Sequence, residues 1–252
     1  MTSTDSLPLE LPDSVSSRSR WGQLYGSAQS LAVAQAARRY RGTLCAITSS
    51  ATAADALERE LAFFFSDSHV RRFSDYETLP YDAFSPPQEL IAERLSTLAS
   101  LTTADRAILI VNAQALLTRL PPRQFVVARS LALRTGETIE RELLRDKLIS
   151  NGYLHVEKVL GPGEFAVRGS LLDIFPTGAA TPIRIDLFDD EIETLRTFDP
   201  ETQRSTGAVD QIRILPAKEF PFDRESIRGF RENFRVNVAG EPTRSSIYRD
   251  IS

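Results

Sequence analysis

From Gly163 to Arg196 the chain reads GEFAVRGSLLDIFPTGAATPIRIDLFDDEIETLR, with apolar residues recurring at every second position. Successive side chains of a strand point to opposite faces, so this pattern describes half-buried strands. Turn residues divide it into Glu164 to Arg168, Leu171 to Phe175, Pro182 to Phe188 and Glu191 to Thr197. In the third, Ile183, Ile185 and Leu187 form the apolar face, and Arg184, Asp186 and Phe188 form the other. Phe188 is out of place there, because a solvated face calls for Thr or Lys. A cation beside an aromatic ring on a rigid sheet is the composition of a binding hot spot. Glu164, Ala166 and Arg168 share one face of their own strand. A surface ladder of ion pairs, contributing little, is the competing reading, and periodicity alone leaves the two level.

Upstream the period changes. Ser30 to Tyr40 is an Ala-rich helix with cations near its negative pole, stopped by Gly42. Leu44 to Thr48 is a continuous apolar run, as expected of a strand buried on both faces. Ala53 to Phe65 places Leu57, Leu61, Phe64 and Phe65 on one helical stripe. Val70 to Phe73 reads as a strand and Asp75 to Phe84 as a loop. Ser85, Pro86 and Gln88 form a capping box that opens a helix running to about Leu101. Ala107 to Val111 is a buried strand, and Asn112 caps a short helix, Ala113 to Arg119, ended by Pro121 and Pro122. This alternation predicts a parallel sheet covered by helices. After Pro122, Phe125 to Leu133 and Tyr153 to Leu160 read as strands, and Glu140 to Ser150 as a helix closed by Asn151-Gly152. Ile212 to Leu215 is a last strand and Arg224 to Phe234 a polar helix. The expected class is α/β, followed by a smaller α+β unit of mostly antiparallel strands.

A chain of 252 residues, 42% apolar and 25% charged, has room for two such units, each with a core. No apolar run approaches a membrane span, the N-terminus lacks the order of a secretory leader, and the single Cys45 fits a reducing compartment. The expected location is the cytoplasm. A net charge of −4 and a pI of about 5.4 speak against a dedicated nucleic-acid binder. Arg38, Arg39 and Arg41 leave room for weak DNA binding. His69, His155 and Cys45 are too few for a nitrogen and sulfur metal site. Asp189-Asp190-Glu191 sit in a hairpin turn, where solvation explains them better than acid–base work. A P-loop needs G-x-x-x-x-G-K-[ST], with the Lys on the phosphates. The nearest stretch, Gly22 to Gln29 (GQLYGSAQ), has Ser27, Ala28 and Gln29 where Gly-Lys-Thr should stand. Neither catalysis nor a cofactor is expected of this chain.

Several strings in order, ETLPYDAFSP, EFAVRGSLLDIFP, IRIDLFDDEIETLRTFDPETQRS and ILPAKEFP, resemble the N-terminal region of the Mfd family of bacterial transcription-repair coupling factors. More distantly they resemble the first two domains of UvrB. The resemblance covers roughly Trp21 to Phe222. It implies a flexible N-terminus at 1–20 and a helicase-like α/β domain without a working P-loop at 21–124. An inserted UvrA-binding α+β domain would occupy 125–212. A return segment at 213–252 would pack on the first domain, in a chain that is a truncated form of a longer one. The Tyr-rich hairpin with which UvrB clamps DNA would be replaced by the short Asp75 to Phe84 loop. By position, the resemblance implies UvrA contacts at Arg168, Arg184, Asp186 and Phe188, and UvrB carries an Arg where Ala166 stands. The whole proteins are implied to be ATP-driven DNA translocases that displace stalled RNA polymerase. ATP, Mg, DNA and RNA polymerase would be bound by domains beyond Ser252, and the UvrA-binding face would be masked by the C-terminal region. A nucleotide-binding or weakly DNA-binding domain of UvrB type is the alternative.

Overall fold

The computed structural model describes the chain except residues 1–6, 8, 15, 66–68, 79–83, 222 and 238–252. Part of the loop expected in place of the UvrB clamp, Phe222 and the C-terminal stretch lie outside the described residues. The chain divides into two compact units, Met1–Arg123 and Gln124–Ser252.

In the first unit α1 (Ala28–Arg39), β1 (Thr43–Thr48), α2 (Ala51–Phe64), β2 (Val70–Phe73), α3 (Gln88–Leu101) and β3 (Ala107–Asn112) follow one another. The strands form a parallel sheet in the order β1-β3-β2. Ile108 and Ile110 of the central strand pack with Leu57 and Leu61 of α2 and with Ala34 and Ala37 of α1. Ser50 caps α2, its hydroxyl accepting from the Ala53 N–H at 3.1 Å.

Three expectations change here. β1 is an edge strand with Ile47 62% exposed, so its apolar run does not mean burial on both faces; β3 holds the central place. α3 starts at Gln88 with Pro87 at its N-cap, not at Ser85. Each proline drives the residue before it out of the helical region, and two in a row delay the start. The helix expected over Ala113 to Arg119 is a single 3₁₀ turn, Ala115–Leu117, with Gln114 rather than Asn112 at its N-cap, although Asn112 Oδ1 accepts from the Ala115 N–H at 2.9 Å. Residues 17–25 form neither helix nor strand, so Gly22 to Gln29 is not a strand-to-helix turn.

Around and beyond the boundary come α4 (Arg123–Arg129), β4 (Leu131–Arg134), α5 (Arg141–Ser150), β5 (Leu154–His155), β6 (Glu164–Arg168), β7 (Leu171–Ile174), β8 (Ile183–Phe188), β9 (Glu191–Phe198), β10 (Ser205–Val209), β11 (Gln211–Ile214) and α6 (Arg224–Asn237). A six-stranded sheet runs in the order β10-β9-β8-β7-β6-β5, antiparallel except where β5 meets β6. β11 and β4 form a separate antiparallel ribbon. Phe165, Leu172, Ile185 and Leu195 from one face of the sheet pack with Leu144 and Leu148 of α5 and with Leu133 and Ile214 of the ribbon.

Two further corrections fall in this unit. The strand expected over Phe125 to Leu133 is α4 followed by β4. Its β-branched Val126 and Val127 imitate a strand, whereas Pro121-Pro122 supply a helix start. Of Tyr153 to Leu160 only Leu154–His155 is strand. α5 stops at Gly152, where φ is +85° and an added Cβ would lie 2.5 Å from the Lys218 side chain.

Candidate protein-binding site

On β8 the residues Ile183, Ile185 and Leu187 face the core, leaving Arg184, Asp186 and Phe188 on the outer face. A register shift with β9 falls between Asp186 and Leu187 without disturbing that alternation. On β7 the outer face carries Leu171 and Asp173, and on β6 Glu164, Ala166 and Arg168. Cross-strand register then sets the geometry: Asp173 lies opposite Arg184, and Leu171 lies opposite both Arg168 and Asp186. Arg168 and Asp186 are therefore two strands, roughly 10 Å, apart.

One end of this face is closed. Ala166, Phe175 and Phe198 pack with Val159 in a small second core, and Ala166 is 1% exposed. Next to it lies Asp173, whose side chain is 2% exposed. Its carboxylate accepts from Arg184 twice, Nε to Oδ1 at 2.7 Å and Nη2 to Oδ2 at 2.9 Å. This is the forked geometry that makes Arg–carboxylate pairs strong. The Arg184 Cζ also lies 5.0 Å from the centre of the Phe198 ring, and its Nη1 donates to the Gln203 carbonyl at 3.3 Å. Its bonds to Asp173, outweighing the effect of burial, raise the guanidinium pKa above its ordinary value.

The other end is open. Arg168, its side chain 47% exposed, has Nη2 at 3.2 Å from Gln203 Oε1 and at 3.7 Å from Asp173 Oδ2. Asp186 accepts from the Ser170 hydroxyl at 3.2 Å. Phe188 is 70% exposed, at the mouth of the β8–β9 turn where Asp189 takes a φ of +53°. The four residues singled out from sequence thus share one face, but in different states. Arg184 is closed into a neutral pair with Asp173, while Arg168 and Phe188 are exposed.

Two residues of this site carry no signal in the sequence. Asp173 sits in LLDIF as an ordinary alternating position, and only the β7–β8 register reveals it as the partner of Arg184. Gln203 lies in the turn between β9 and β10, where sequence gives no hint that it reaches both arginines. The outer-face position of Ala166 follows from its spacing of two from Arg168, and its burial does not.

Among the described residues of the first unit no comparable face is built. A cavity of about 520 Å³, lined by Arg38, Gly42, His69, Asp105 and Arg106, lies before the first residues of β1, β2 and β3. In open α/β sheets ligands bind at the opposite, carboxyl ends of the strands. Its arginines serve helix ends: Arg38 donates to the Phe64 carbonyl and Arg106 to that of Arg38. Arg39 donates to the Leu9 carbonyl. Among the described residues no group of three or more His, Cys, Asp or Glu could hold a metal ion. No helix among them is long and apolar enough to cross a membrane.

Residues 131–220, which include the whole of this face, match the UvrB interaction domain family. The transcription-repair-coupling factor of Escherichia coli K12 is 42% identical over 231 residues, covering 92% of this chain and 20% of the relative. The chain is similar to transcription-repair-coupling factors along nearly its whole length. That of Haemophilus influenzae is 41% identical over 92% of the chain and 20% of the relative. That of Staphylococcus aureus Mu50 is 32% identical over 82% of the chain and 18% of the relative. The chain spans about a fifth of the length of these transcription-repair-coupling factors.

Proposed function

We propose that this chain is a non-catalytic docking module that recruits the excision-repair protein UvrA, acting in the cytoplasm as part of a transcription-repair-coupling factor. The observation that carries this is that one sheet presents both an exposed Phe188 and an exposed Arg168, inside the span that matches the UvrB interaction domain. Phe188 supplies the apolar anchor, Arg168 a charge-assisted contact to a carboxylate on UvrA, and Asp186 an acceptor for a basic group. Arg184 contributes by shaping the face. The whole protein would be an ATP-driven DNA translocase that displaces stalled RNA polymerase, with that work done outside this chain. The missing P-loop lysine and, among the described residues, the absence of a strand before α1 support a first unit that holds no ATP.

Titration of the chain with purified UvrA tests this. Saturable binding is expected, and Arg168→Ala should weaken it by about 2 kcal/mol. No binding by the folded chain, or unchanged affinity in the variant, would contradict the assignment.

A further inference from the structure

Arg168 is a long side chain at the end of a strand, and such a side chain normally samples many rotamers. Here it is held by a residue far away in sequence. The turn from Asp199 to Arg204 folds back toward the outer face, closed by the Asp199 N–H to the Arg204 carbonyl at 3.0 Å. The Asp199 carboxylate builds the turn, accepting from the N–H groups of Glu201 at 3.0 Å and Thr202 at 2.7 Å. Gln203 ends it with φ at +61°, a left-handed conformation that a residue other than glycine adopts only where its surroundings require it.

The Gln203 amide is oriented without ambiguity. Its Nε2 lies 3.1 Å from the Val159 carbonyl and 2.8 Å from the Pro200 carbonyl. Both carbonyls only accept, so the amino end must face them, and Oε1 is left to accept from Arg168. The backbone carbonyl of the same residue accepts from Arg184. One turn residue therefore touches both Arg168 and Arg184. Arg184 has Asp173 as well; Arg168 has only the 3.7 Å approach to that shared carboxylate.

We propose, resting on the docking reading above, that Gln203 is a positioning residue: it holds Arg168 in the conformation that meets the partner's carboxylate. Ordering a rotamer-rich side chain at an interface costs binding energy, and a side chain ordered in advance avoids that cost. Releasing Arg168 should therefore weaken binding roughly threefold to tenfold.

The test is a double-mutant cycle on UvrA affinity with Gln203→Gly, Arg168→Ala and both together. Glycine tolerates the left-handed backbone, and unfolding midpoints taken alongside confirm that each variant is folded. Gln203→Met, which keeps the length and loses the acceptor, replaces it if glycine loosens the turn. Gln203→Gly should weaken binding roughly threefold to tenfold when Arg168 is present and have almost no effect when Arg168 is alanine. An equal loss in both backgrounds would mean that Gln203 acts on the fold rather than through Arg168, and no loss in either would mean that Arg168 needs no tether. Both outcomes overturn the proposal. A wild-type chain that fails to bind UvrA would remove the docking reading and this proposal together, before any variant is compared.

Discussion

Arg168 and Arg184 look alike in the sequence and differ in the fold. Arg184 is 18% exposed and shares two hydrogen bonds with Asp173, which is 2% exposed. Removing it leaves a buried carboxylate with Arg168 at 3.7 Å as its remaining counter-charge. Arg184→Ala should therefore cost about 2–3 kcal/mol of folding stability in urea unfolding, below the range for wholly buried pairs because Arg184 keeps some solvent. Arg168→Ala should stay within about 0.5 kcal/mol of wild type. Equal losses would show that the Asp173 pair is not what holds Arg184. Periodicity alone places Arg184, Asp186 and Phe188 on one face, but the partner of Arg184 lies on another strand, and register is not written in spacing. Tyr153 was equally silent. Its hydroxyl donates to the Leu215 carbonyl at 2.8 Å and accepts from the Thr177 N–H at 3.0 Å. Burial pushes its pKa up to about 12 from 10.0. The folded state thus favours the neutral phenol, and the stability this gives is complete below pH 10 and lost as pH rises toward 12. Tyr153→Phe should flatten that alkaline loss in thermal melts taken across this range.

Among the elements, those whose two faces differ were the ones legible in the sequence. β6 to β9 alternate because one face is core, and α5 shows Leu144 and Leu148 one turn apart for the same reason. β1 and α4 were misread because an apolar run states hydrophobicity without stating position in a sheet, and Val126 and Val127 favour strands only until context overrides them. α6 was legible as polar, but what holds it was not. It buries no residue, and a helix of its length is marginal in water without packing. Asp223 caps it, accepting from the Ser226 N–H at 2.9 Å and pairing with Arg129 at 2.7 Å. The Ser226 bond first, then Arg129, holds this carboxyl well below the usual carboxylate range. Its contribution is present above the ordinary carboxylate pKa of about 4 and lost as pH falls through the depressed value. Asp223→Ala should lower the helical circular dichroism signal, and wild-type α6 should keep that signal when pH falls through 4. An unchanged signal in the variant would mean that the cap does not hold the helix.

At the scale of the molecule, the chain joins a parallel α/β unit, in which Gly22 to Gln29 carries no P-loop lysine, to a sheet that presents an aromatic ring and a cation. The proposal that the first unit holds no ATP is checked by calorimetry with ATP and Mg, which should give no binding heat; a micromolar isotherm would contradict it. The two-class architecture was legible from the change of hydrophobic period near Pro122. The state of each arginine was not, because it depends on which residues the sheet brings side by side. The central claim is that Phe188 and Arg168 form a docking surface for UvrA on an otherwise stable face. The most direct measurement is UvrA affinity of wild type, Phe188→Ala and Arg168→Ala, each with its unfolding free energy. The account predicts that each variant loses about 2 kcal/mol of binding while folding stability stays within about 0.5 kcal/mol. Wild-type affinity in both variants would contradict it.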